Sequence, residues 1–308
     1  MQHTSNQWQF WVDRGGTFTD IVAKTPAGAL VTHKLLSDNP EQYPDAALAG
    51  IRYLLGIDSD QLIPTELIAA VKMGTTVATN ALLERKGDDT VLFITAGFKD
   101  ALQIGYQARP QLFTRHIVKP ELLYGQVIEV QERVLADGTT EKPLNPAEVK
   151  QQLKAAYDQG YRAIAIVLMH SYRYHEHEQQ VAQWAREIGF EQISVSHQVS
   201  ALMKLIGRGD TTVVDAYLSP GLRRYVNRVA SELDQVRLMF MQSNGGLTAA
   251  DHFQGKDAIL SGPAGGIVGM ARIAAAVGTD QLIGFDMGGT STDVSHYSGH
   301  FVRVFETV

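Results

Sequence analysis

The chain has 308 residues, 44% of them hydrophobic and 19% charged, which is enough apolar content for one large or two medium globular domains. Its 27 basic and 33 acidic residues give a net charge of −6. Neither sign forms a long block, which argues against nucleic acid or an anionic membrane as a partner. Cysteine is absent, which excludes disulfides, thiolate zinc sites and cysteine nucleophiles.

Short β-type runs alternate with helix-type segments along the chain. The predicted strands are Gln9–Val12, Thr17–Ala23, Val91–Thr95, Arg162–Met169, Leu238–Gln242 and Leu282–Asp286. The predicted helices are Asp45–Leu55, Pro146–Tyr157, Glu176–Ile188, Ala216–Leu233 and Ile267–Ala276. Several of the strands are apolar almost throughout, as buried strands are. The alternation therefore predicts an α/β fold with helices covering the sheets.

The sequence carries no sign of export or of a membrane span. Residues Met1–Trp8 lack a positively charged region followed by an apolar stretch. The most apolar run, Ala163–Met169, is far too short to cross a bilayer. We therefore expect a cytoplasmic protein.

No linker rich in proline, glycine or serine marks a domain boundary. We place the boundary near residues 190 to 205, which gives an N-terminal region 8–200 and a C-terminal region 201–308. One internal repeat connects these regions. Asp13-Arg-Gly-Gly-Thr-Phe-Thr-Asp20, the first loop, recurs as Asp286-Met-Gly-Gly-Thr-Ser-Thr-Asp293, the second loop. The two regions therefore share a local architecture.

Both loops have the residue types of a phosphate-binding turn. In each, a strand ends in an aspartate, Asp13 or Asp286, whose oxygens suit Mg²⁺ or can orient a nucleophile. Glycines let the backbone N–H groups approach an anion, and threonine hydroxyls add donors. The residues concerned are Gly15, Gly16, Thr17 and Thr19 in the first loop, and Gly288, Gly289, Thr290 and Thr292 in the second. A plain hairpin turn is the alternative, but two copies agreeing at six of eight positions favour nucleotide binding.

Two further glycine-containing segments are candidates for ligand contact. Gly74, Thr75 and Thr76 precede a helix-like run that includes Asn80, so free N–H groups and hydroxyls there could hold an anion. Threonine capping of the helix is the alternative. Ser261-Gly-Pro-Ala-Gly-Gly266 also precedes a helix, where Ser261 and Gly262 could approach a ligand or serve close helix packing.

Amide groups of Gln242-Ser-Asn-Gly-Gly246 follow an apolar strand and could also contact a ligand. An Asn-Gly turn is the alternative there.

The histidine-rich segment His170–Glu178 is a weaker candidate for metal binding. Its His-Glu-His-Glu order, beginning at His175, lacks the i, i+4 spacing that places two ligands on one helix face. We predict instead the polar start of a helix. Tyr172, Tyr174 and Tyr225 are predicted to be packing or surface residues.

The sequence resembles the hydantoinase A/5-oxoprolinase family, within the superfamily of actin, sugar kinases, acetate kinase and heat-shock ATPases. The motifs that carry the resemblance extend over nearly the whole chain, and they are the first loop, Met73–Gly87, Met241–Gly246, Leu260–Gly266 and Phe285–Val294. Other stretches are more similar to 5-oxoprolinase than to hydantoinases or acetone carboxylases, namely Lys34–Ser37 with Tyr43–Ala46, Ile104–Arg109 and Gly207–Pro220.

The resemblance implies an actin-like ATPase fold of the ribonuclease H-like type, with ATP held between two lobes. Because the family continues well beyond this chain, the second lobe is expected to be incomplete and a C-terminal half or second subunit is an expected partner. The implied reaction is ATP-dependent hydrolysis of a cyclic amide, 5-oxo-L-proline to L-glutamate, with the carbonyl oxygen phosphorylated first. ATP and Mg²⁺ are the implied cofactors.

Site residues follow from that reaction. Asp13 and Asp286 are the predicted catalytic and metal-binding residues, and Arg14 and Arg109 are candidates for the substrate carboxylate because guanidinium binds carboxylates in bidentate fashion. Further candidate substrate contacts are Asn80, Ser261 and Gly262. The alternatives are a hydantoinase-type subunit, a small-molecule kinase of the same superfamily, and a non-catalytic fragment that needs a partner chain.

Overall fold

The computed structural model of the chain describes residues 6–107, 113–288 and 292–302. The strands are β1 (Trp8–Arg14), β2 (Phe18–Lys24), β3 (Leu30–Leu36), β4 (Ile68–Thr75), β5 (Thr90–Thr95), β6 (Gln126–Val130), β7 (Arg133–Val134), β8 (Thr140–Lys142), β9 (Ala163–Val167), β10 (Gln192–Val195), β11 (Arg237–Met241), β12 (Leu247–Ala249), β13 (Gln281–Met287) and β14 (Thr292–Ser298). The helices are α1 (Ala46–Leu55), α2 (Val77–Leu83), α3 (Ala101–Ile104), α4 (Pro146–Asp158), α5 (Glu176–Ile188), α6 (Ser196–Val199), α7 (Leu205–Glu232), α8 (Gly255–Ala258) and α9 (Ser261–Val277). Short 3₁₀ turns lie at Thr65–Leu67 and Ala250–His252.

The described residues fall into two compact units that do not follow chain order. Unit 1 contains the chain up to Glu84 and resumes at Leu222, whereas unit 2 is the intervening segment Arg85–Gly221. The predicted regions 8–200 and 201–308 are divided in chain order instead. The difference arises because β11 returns to pair with β4, so one sheet takes strands from both sides of the inserted unit.

The described part of unit 1 is built on a six-stranded sheet in the order β12-β11-β4-β1-β2-β3. The central strands β1, β4 and β11 are parallel, and the outer strands are antiparallel to their neighbours. Phe10 and Val12 alternate with more exposed residues along β1 and are buried, as expected for a strand with one covered face. The carboxyl ends of the three parallel strands therefore meet at one edge, where open α/β sheets tend to bind ligands.

The hairpin β13–β14 forms its own two-stranded sheet in unit 1. One face packs on α9, and a Cβ on Gly284 would come within 2.8 Å of Met270 Sδ, so glycine is what allows this close contact. The apolar side chains of the other face are between 66% and 75% exposed, and they are Ile283, Phe285, Met287 and Val294. No described residue covers this apolar face.

Unit 2 is built on a parallel sheet in the order β10-β9-β5-β6. Every residue of β5 and β9 is buried, as predicted from their apolar sequences. Leu153 of α4 and Val181 of α5 pack on one face, whereas Leu102 of α3 and Val213 of α7 pack on the other. The unit is thus a helix–sheet–helix sandwich. None of the helices that the structure describes is long and apolar enough to cross a membrane.

The histidine-rich segment belongs to a buried hydrogen-bond network in unit 2. The Glu178 carboxylate is fully buried; one oxygen accepts from the Leu168 N–H and from the hydroxyls of Ser171 and Ser196, and the other from the N–H and Nδ1 of His197. No group of three or more histidine or acidic side chains in the described part of the chain could hold a metal ion. The segment is the polar start of α5, as predicted.

Arg208 completes this network from α7. Its side chain is fully buried, and its Nε donates to the Ser196 hydroxyl at 2.9 Å. Its terminal nitrogens donate to carbonyls of Leu168, Leu202 and Met203. The guanidinium therefore makes four hydrogen bonds to protein acceptors and ties the start of α7 to the loop that follows β9.

Asp210, on the first turns of α7, should give unit 2 a measurable pH dependence. Part of its side chain reaches solvent, yet burial of the rest raises its pKa to about 6. Its folded pKa exceeds its unfolded pKa of about 3.9, so stability is full below about pH 4 and is lost as the pH rises through about 6. We expect Asp210→Asn to unfold at a higher temperature than wild type at neutral pH but not at pH 4, measured by thermal denaturation.

Asp137 provides a control of opposite sign. Its pKa is lowered because the Thr139 N–H donates to its carboxylate at 2.9 Å, so Asp137→Asn should lose stability at neutral pH. An Asp210→Asn effect of equal size at both pH values would contradict the linkage to ionisation.

Candidate functional site

The strands that flank the first and second loops pair in the same register. Asp13 pairs with Asp20 across β1 and β2, and Asp286 pairs with Asp293 across β13 and β14. The sequence repeat is therefore a repeat of local structure, with an aspartate pair at the end of each hairpin. Gly288 follows β13 and is exposed, whereas Gly289 and Thr290 lie outside the described residues.

The turn of the first loop is anchored by Ser37. The Ser37 hydroxyl donates to the Gly15 carbonyl at 2.7 Å and lies 2.9 Å from the Thr19 hydroxyl, while its N–H donates to the Thr17 carbonyl at 2.9 Å. Thr19 is fully buried, so its hydroxyl supports the loop from inside. Gly16 and Thr17 are exposed, which leaves them on the side of the loop where a ligand can approach.

Sequence reasoning missed Ser37 as a site residue. It lies in the Lys34–Ser37 stretch that carried part of the resemblance, but nothing in the sequence shows that β3 ends beside the first loop. That proximity comes from the antiparallel pairing of β2 with β3.

Loss of the Ser37 hydroxyl should loosen the first loop. Ser37→Ala removes the partner of the buried Thr19 hydroxyl and the donor to Gly15, and each buried group left unsatisfied costs about 1–3 kcal/mol. We expect the free energy of unfolding to fall by about that amount, measured by urea denaturation. Ser59→Ala, at an exposed serine of the same unit, should change it by less than about 0.5 kcal/mol; equal effects would contradict the anchoring role.

Parallel pairing of β1 with β4 brings the Gly74 segment to the first loop. Gly74 lies beside Asp13, and a Cβ there would be 3.3 Å from Asp13 Oδ1. The N–H and hydroxyl of Thr76 both donate to the Arg14 carbonyl, at 3.1 and 3.2 Å. Asn80 in turn donates to the Thr76 hydroxyl at 3.2 Å. Glycine thus permits the close approach of β4 to the Asp13 carboxylate.

Thr76 is the N-cap residue of α2 but makes no side-chain capping hydrogen bond, and the preceding Thr75 makes a local bond instead. The Thr75 side chain is buried, and its hydroxyl accepts a hydrogen bond from the Val77 N–H at 3.3 Å. The side chains of Thr75 and Thr76 are therefore already engaged within the protein. A ligand at this segment would meet the start of α2 rather than free threonine hydroxyls.

The start of α9 joins the same edge of the sheet. The hydroxyl of the buried Ser261 donates to the Thr75 carbonyl at 3.1 Å, and a Cβ on Gly262 would lie 3.8 Å from Thr76 Cγ2. Leu260 precedes the helix with φ of 57°, a left-handed conformation that residues with a side chain seldom adopt. Such conformations concentrate at functional sites. Sequence analysis included Leu260 in a family motif but not among the candidate site residues.

The Gln242–Gly246 segment is the turn between β11 and β12. The Gln242 N–H donates to the Gly246 carbonyl at 2.8 Å, and Gly246 N–H donates to the Asn244 side chain at 2.7 Å. The Asn-Gly turn is therefore present, and it lies at the carboxyl end of β11.

The Asp13 carboxyl lies in the field of other acidic side chains from both loops. Asp13 is exposed as a residue, but partial burial of its carboxyl raises the pKa above its usual range. The charges of Asp20 and Asp286 raise this pKa further, and Lys34 lowers it. Lys34 pairs with Asp20 at 2.8 Å. The carboxylates of the two loops are thus close enough to repel one another, and a bound cation would relieve that repulsion.

The donor set fits Mg²⁺ shared with a phosphate ligand. Carboxylate oxygens are ligands that Mg²⁺ prefers, usually one or two from the protein with the rest from phosphate and water. No three acidic or histidine side chains among the described residues could hold a metal ion together. Asp13 and Asp286 would therefore hold Mg²⁺ only as part of a phosphate complex.

Asp286 and Asp293 also line a groove between α9 and the β13–β14 hairpin. The groove has a volume of about 480 Å³ and is lined by Pro263, Ile267 and Met270 on the α9 side. Its polar end is thus formed by the aspartates of the second loop.

Of the remaining predicted site residues, Arg14 is half-buried at the end of β1, Thr292 is exposed at the start of β14, and Arg109 lies outside the described residues.

Comparison with known proteins gives matches over nearly the whole chain. A family model described as the hydantoinase/oxoprolinase N-terminal region matches residues 9–189, and one described as hydantoinase/oxoprolinase matches residues 208–308. The chain is 45% identical to 5-oxoprolinase 1 of Arabidopsis thaliana, over 97% of this chain and 26% of that protein. It is 40% identical to 5-oxoprolinase of Saccharomyces cerevisiae, over 96% of this chain and 26% of that protein.

Solved structures confirm the predicted α/β fold. The crystal structure of ATP-dependent caprolactamase from Pseudomonas jessenii is similar with a TM-score of 0.78 and 31% identity, over 94% of this chain and 43% of that chain. The nucleotide-free structure of acetone carboxylase has a TM-score of 0.78 at 23% identity, over 96% of this chain and 44% of that chain. This similarity supports the fold alone. The chain spans about a quarter of the length of the 5-oxoprolinases that it matches, in agreement with a second lobe that is incomplete.

Proposed function

Because this chain belongs to the hydantoinase/oxoprolinase family, we propose that it is the phosphate-binding part of an enzyme that couples ATP hydrolysis to the opening of 5-oxo-L-proline to L-glutamate. One observation carries the proposal. Asp13, Gly74, Thr76 and Ser261 come from three separate motifs and are joined at one sheet edge, and Asp286 of the second loop lies within electrostatic reach of Asp13. This arrangement provides two glycine-rich turns and two aspartates for one anionic ligand.

The phosphates are assigned to the exposed turns of both loops. Backbone N–H groups of Gly15 and Gly16 with Thr17 form the first cradle, and the second is formed by Gly288, Gly289, Thr290 and Thr292. Thr19 supports the first cradle through Ser37. Mg²⁺, when bound, neutralises phosphate charge, and Asp13 and Asp286 are the residues that hold it or orient the attacking group.

Phosphorylation of the lactam carbonyl explains why ATP is required for a stable cyclic amide. The carbonyl oxygen attacks the γ-phosphorus and the bond to ADP breaks; water then adds to the activated carbon. Collapse of that adduct breaks the C–N bond, the ring nitrogen takes a proton, and the carbon is left as an acyl phosphate. A second water then hydrolyses the acyl phosphate, which gives the glutamate carboxylate and free phosphate. Arg14 and Arg109 are assigned to the substrate carboxylate, whereas Asn80, Ser261 and Gly262, with the segment Gly74–Thr76, line the site of transfer.

A C-terminal half or second subunit is proposed to complete the enzyme. The apolar face of the β13–β14 hairpin is uncovered among the described residues, and the matched 5-oxoprolinases are about four times as long as this chain. The caprolactamase relative in Pseudomonas jessenii is described as subunit alpha. We infer that the remaining part covers this face and supplies the nucleoside pocket.

Coupled turnover tests this proposal. Mg-ATP hydrolysis is measured with and without 5-oxo-L-proline, and ADP, phosphate and glutamate are assayed in the same sample, for the chain alone and with a co-expressed C-terminal half. Equal amounts of ADP and glutamate, formed only when both substrates are present, would support the proposal. A phosphorylated small molecule without glutamate would indicate a kinase instead. Activity that appears only with the C-terminal half would assign this chain the role of a subunit.

A further inference from the structure

Arg14 is a half-buried arginine without an acidic partner. Its side chain forms no hydrogen bond or ion pair with any residue in the described part of the chain, and its Nε is enclosed without an acceptor. The Arg14 carbonyl, by contrast, accepts two hydrogen bonds from Thr76. The backbone of this residue is therefore fixed at the edge of the sheet while its charge is left unpaired.

The lack of an ion pair is not caused by a lack of carboxylates. Asp13 is the adjacent residue, and Asp20 lies across the hairpin, where it is paired with Lys34 instead. Successive side chains of a strand point to opposite faces of the sheet, so Arg14 is directed away from Asp13. An unpaired guanidinium that is partly removed from water is costly, which favours a site that an anionic ligand completes.

Tyr225 of α7 holds this guanidinium in place. The Arg14 guanidinium carbon lies 5.1 Å from the centre of the Tyr225 ring, a cation–π contact that uses none of the N–H donors. Tyr225 is only 7% exposed, and its hydroxyl is enclosed without a hydrogen-bond partner. Burial raises the pKa of Tyr225 far above its usual range, so the hydroxyl stays neutral. The ring, not the hydroxyl, accounts for the contact.

We propose that Tyr225 is a positioning residue that holds Arg14 ready to bind an oxyanion, and that this oxyanion is the carboxylate of the lactam substrate. The planar guanidinium suits a carboxylate because it can donate two parallel hydrogen bonds. The choice of a carboxylate rests on the proposed function. A phosphate group offers the same chemistry, so the test separates the two sources.

Calorimetric binding measurements with three probes distinguish a substrate carboxylate from a phosphate group as the ligand of Arg14. These are 5-oxo-L-proline, pyrrolidinone, which is the same ring without the carboxylate, and magnesium tripolyphosphate, which needs no nucleoside pocket. Arg14→Gln and Tyr225→Leu should weaken 5-oxo-L-proline binding about tenfold or more, the loss expected for a charge-assisted contact. Binding of pyrrolidinone and of tripolyphosphate should be unchanged.

Two control variants separate positioning from general stability. Tyr225→Phe keeps the ring and removes only the unpartnered hydroxyl, so it should bind 5-oxo-L-proline like wild type. Tyr157→Leu removes a ring that lies 3.8 Å from the guanidinium of Arg162 in unit 2 and should leave all three affinities unchanged. If Tyr225→Leu does not fold, Arg14→Lys carries the test, because it keeps the charge but loses the planar fork and should also bind 5-oxo-L-proline more weakly.

The outcomes are separable. Unchanged affinity for 5-oxo-L-proline in Arg14→Gln and Tyr225→Leu would overturn this inference and leave the proposed function standing. Weaker tripolyphosphate binding with unchanged lactam binding would overturn the carboxylate assignment. Loss of binding in Tyr225→Phe equal to that in Tyr225→Leu would overturn the role of the ring. A wild-type chain that binds none of the probes would overturn both the proposed function and this inference.

Discussion

Asp13→Asn is expected to lower lactam-dependent ATP hydrolysis on the order of 10³-fold, as loss of a group that orients the reacting atoms does, while making the protein more resistant to heat. The amide keeps the shape of the carboxylate but has no negative charge to balance a cation and cannot act as a base. Because burial and the charges of Asp20 and Asp286 raise the Asp13 pKa, the ionised carboxylate weakens folding at neutral pH. As the pH rises through the folded pKa, Asp13 loses its proton and the free energy of unfolding falls. Asparagine has no proton to lose, so the variant avoids this fall in stability.

Activity and thermal unfolding should therefore move in opposite directions. ADP release is measured in the form of the enzyme that supports turnover, and the unfolding temperature is measured at neutral pH and near pH 4. Asp60→Asn, at an exposed aspartate of the same unit, serves as the matched control and should change neither property. If the Asp13→Asn protein keeps a tenth or more of the activity, Asp13 does not take part in the reaction.

Glu178→Ala is expected to destabilise unit 2 by about 3–5 kcal/mol, the cost of breaking a buried charge pair. The substitution removes the acceptor of five hydrogen bonds and the negative charge that balances Arg208. The side chains of Ser196 and His197 lose their carboxylate acceptor inside the protein, whereas the Ser171 hydroxyl keeps the Leu168 carbonyl as an acceptor. Urea denaturation followed by circular dichroism measures the change.

Glu176→Ala is the matched control for this substitution. It removes a carboxylate from the same first turn of α5, but Glu176 is exposed, so the change should stay within about 0.5 kcal/mol. Similar losses for the two variants would mean that the network contributes less than helix formation in α5.

Local patterns were sufficient to predict the elements that are continuous in sequence. The helix Glu176–Ile188 has the predicted bounds, and the buried strands β5 and β9 follow from their apolar runs. The two loops were predicted as equivalent because their residues repeat, and the structure gives them the same register. In each case the information lies within about fifteen neighbouring residues.

The elements that were missed depend on glycine or on distant pairing. α7 was predicted to begin at Ala216 but begins at Leu205, because Gly207 and Gly209 have low helix propensity while the buried Arg208 fixes the helix start. β4 was not predicted as a strand. Its central position comes from pairing with β1 on one side and β11 on the other, which no local pattern shows.

The site itself was predicted in its parts but not in its assembly. The chemistry of Asp13 and the glycine-rich turns is local, whereas the closeness of Gly74 and Ser261 to the first loop depends on β-sheet register and on the position of α9. The inward direction of Thr19 and the contribution of Ser37 have the same origin. Their roles toward a ligand remain predictions that the substitutions above address.

The pairing of β4 with β11 orders the events of synthesis on the ribosome. The whole of Arg85–Gly221 emerges after β4 and before β11, a delay on the order of ten seconds at usual elongation rates. Unit 2 can therefore collapse first, while the strand that carries Gly74 waits for its second neighbour. In a nascent chain halted before Arg237, unit 2 should resist protease while β4 is still open to cleavage. The sheet edge that is proposed to bind phosphate would then be among the last parts of the described chain to become ordered.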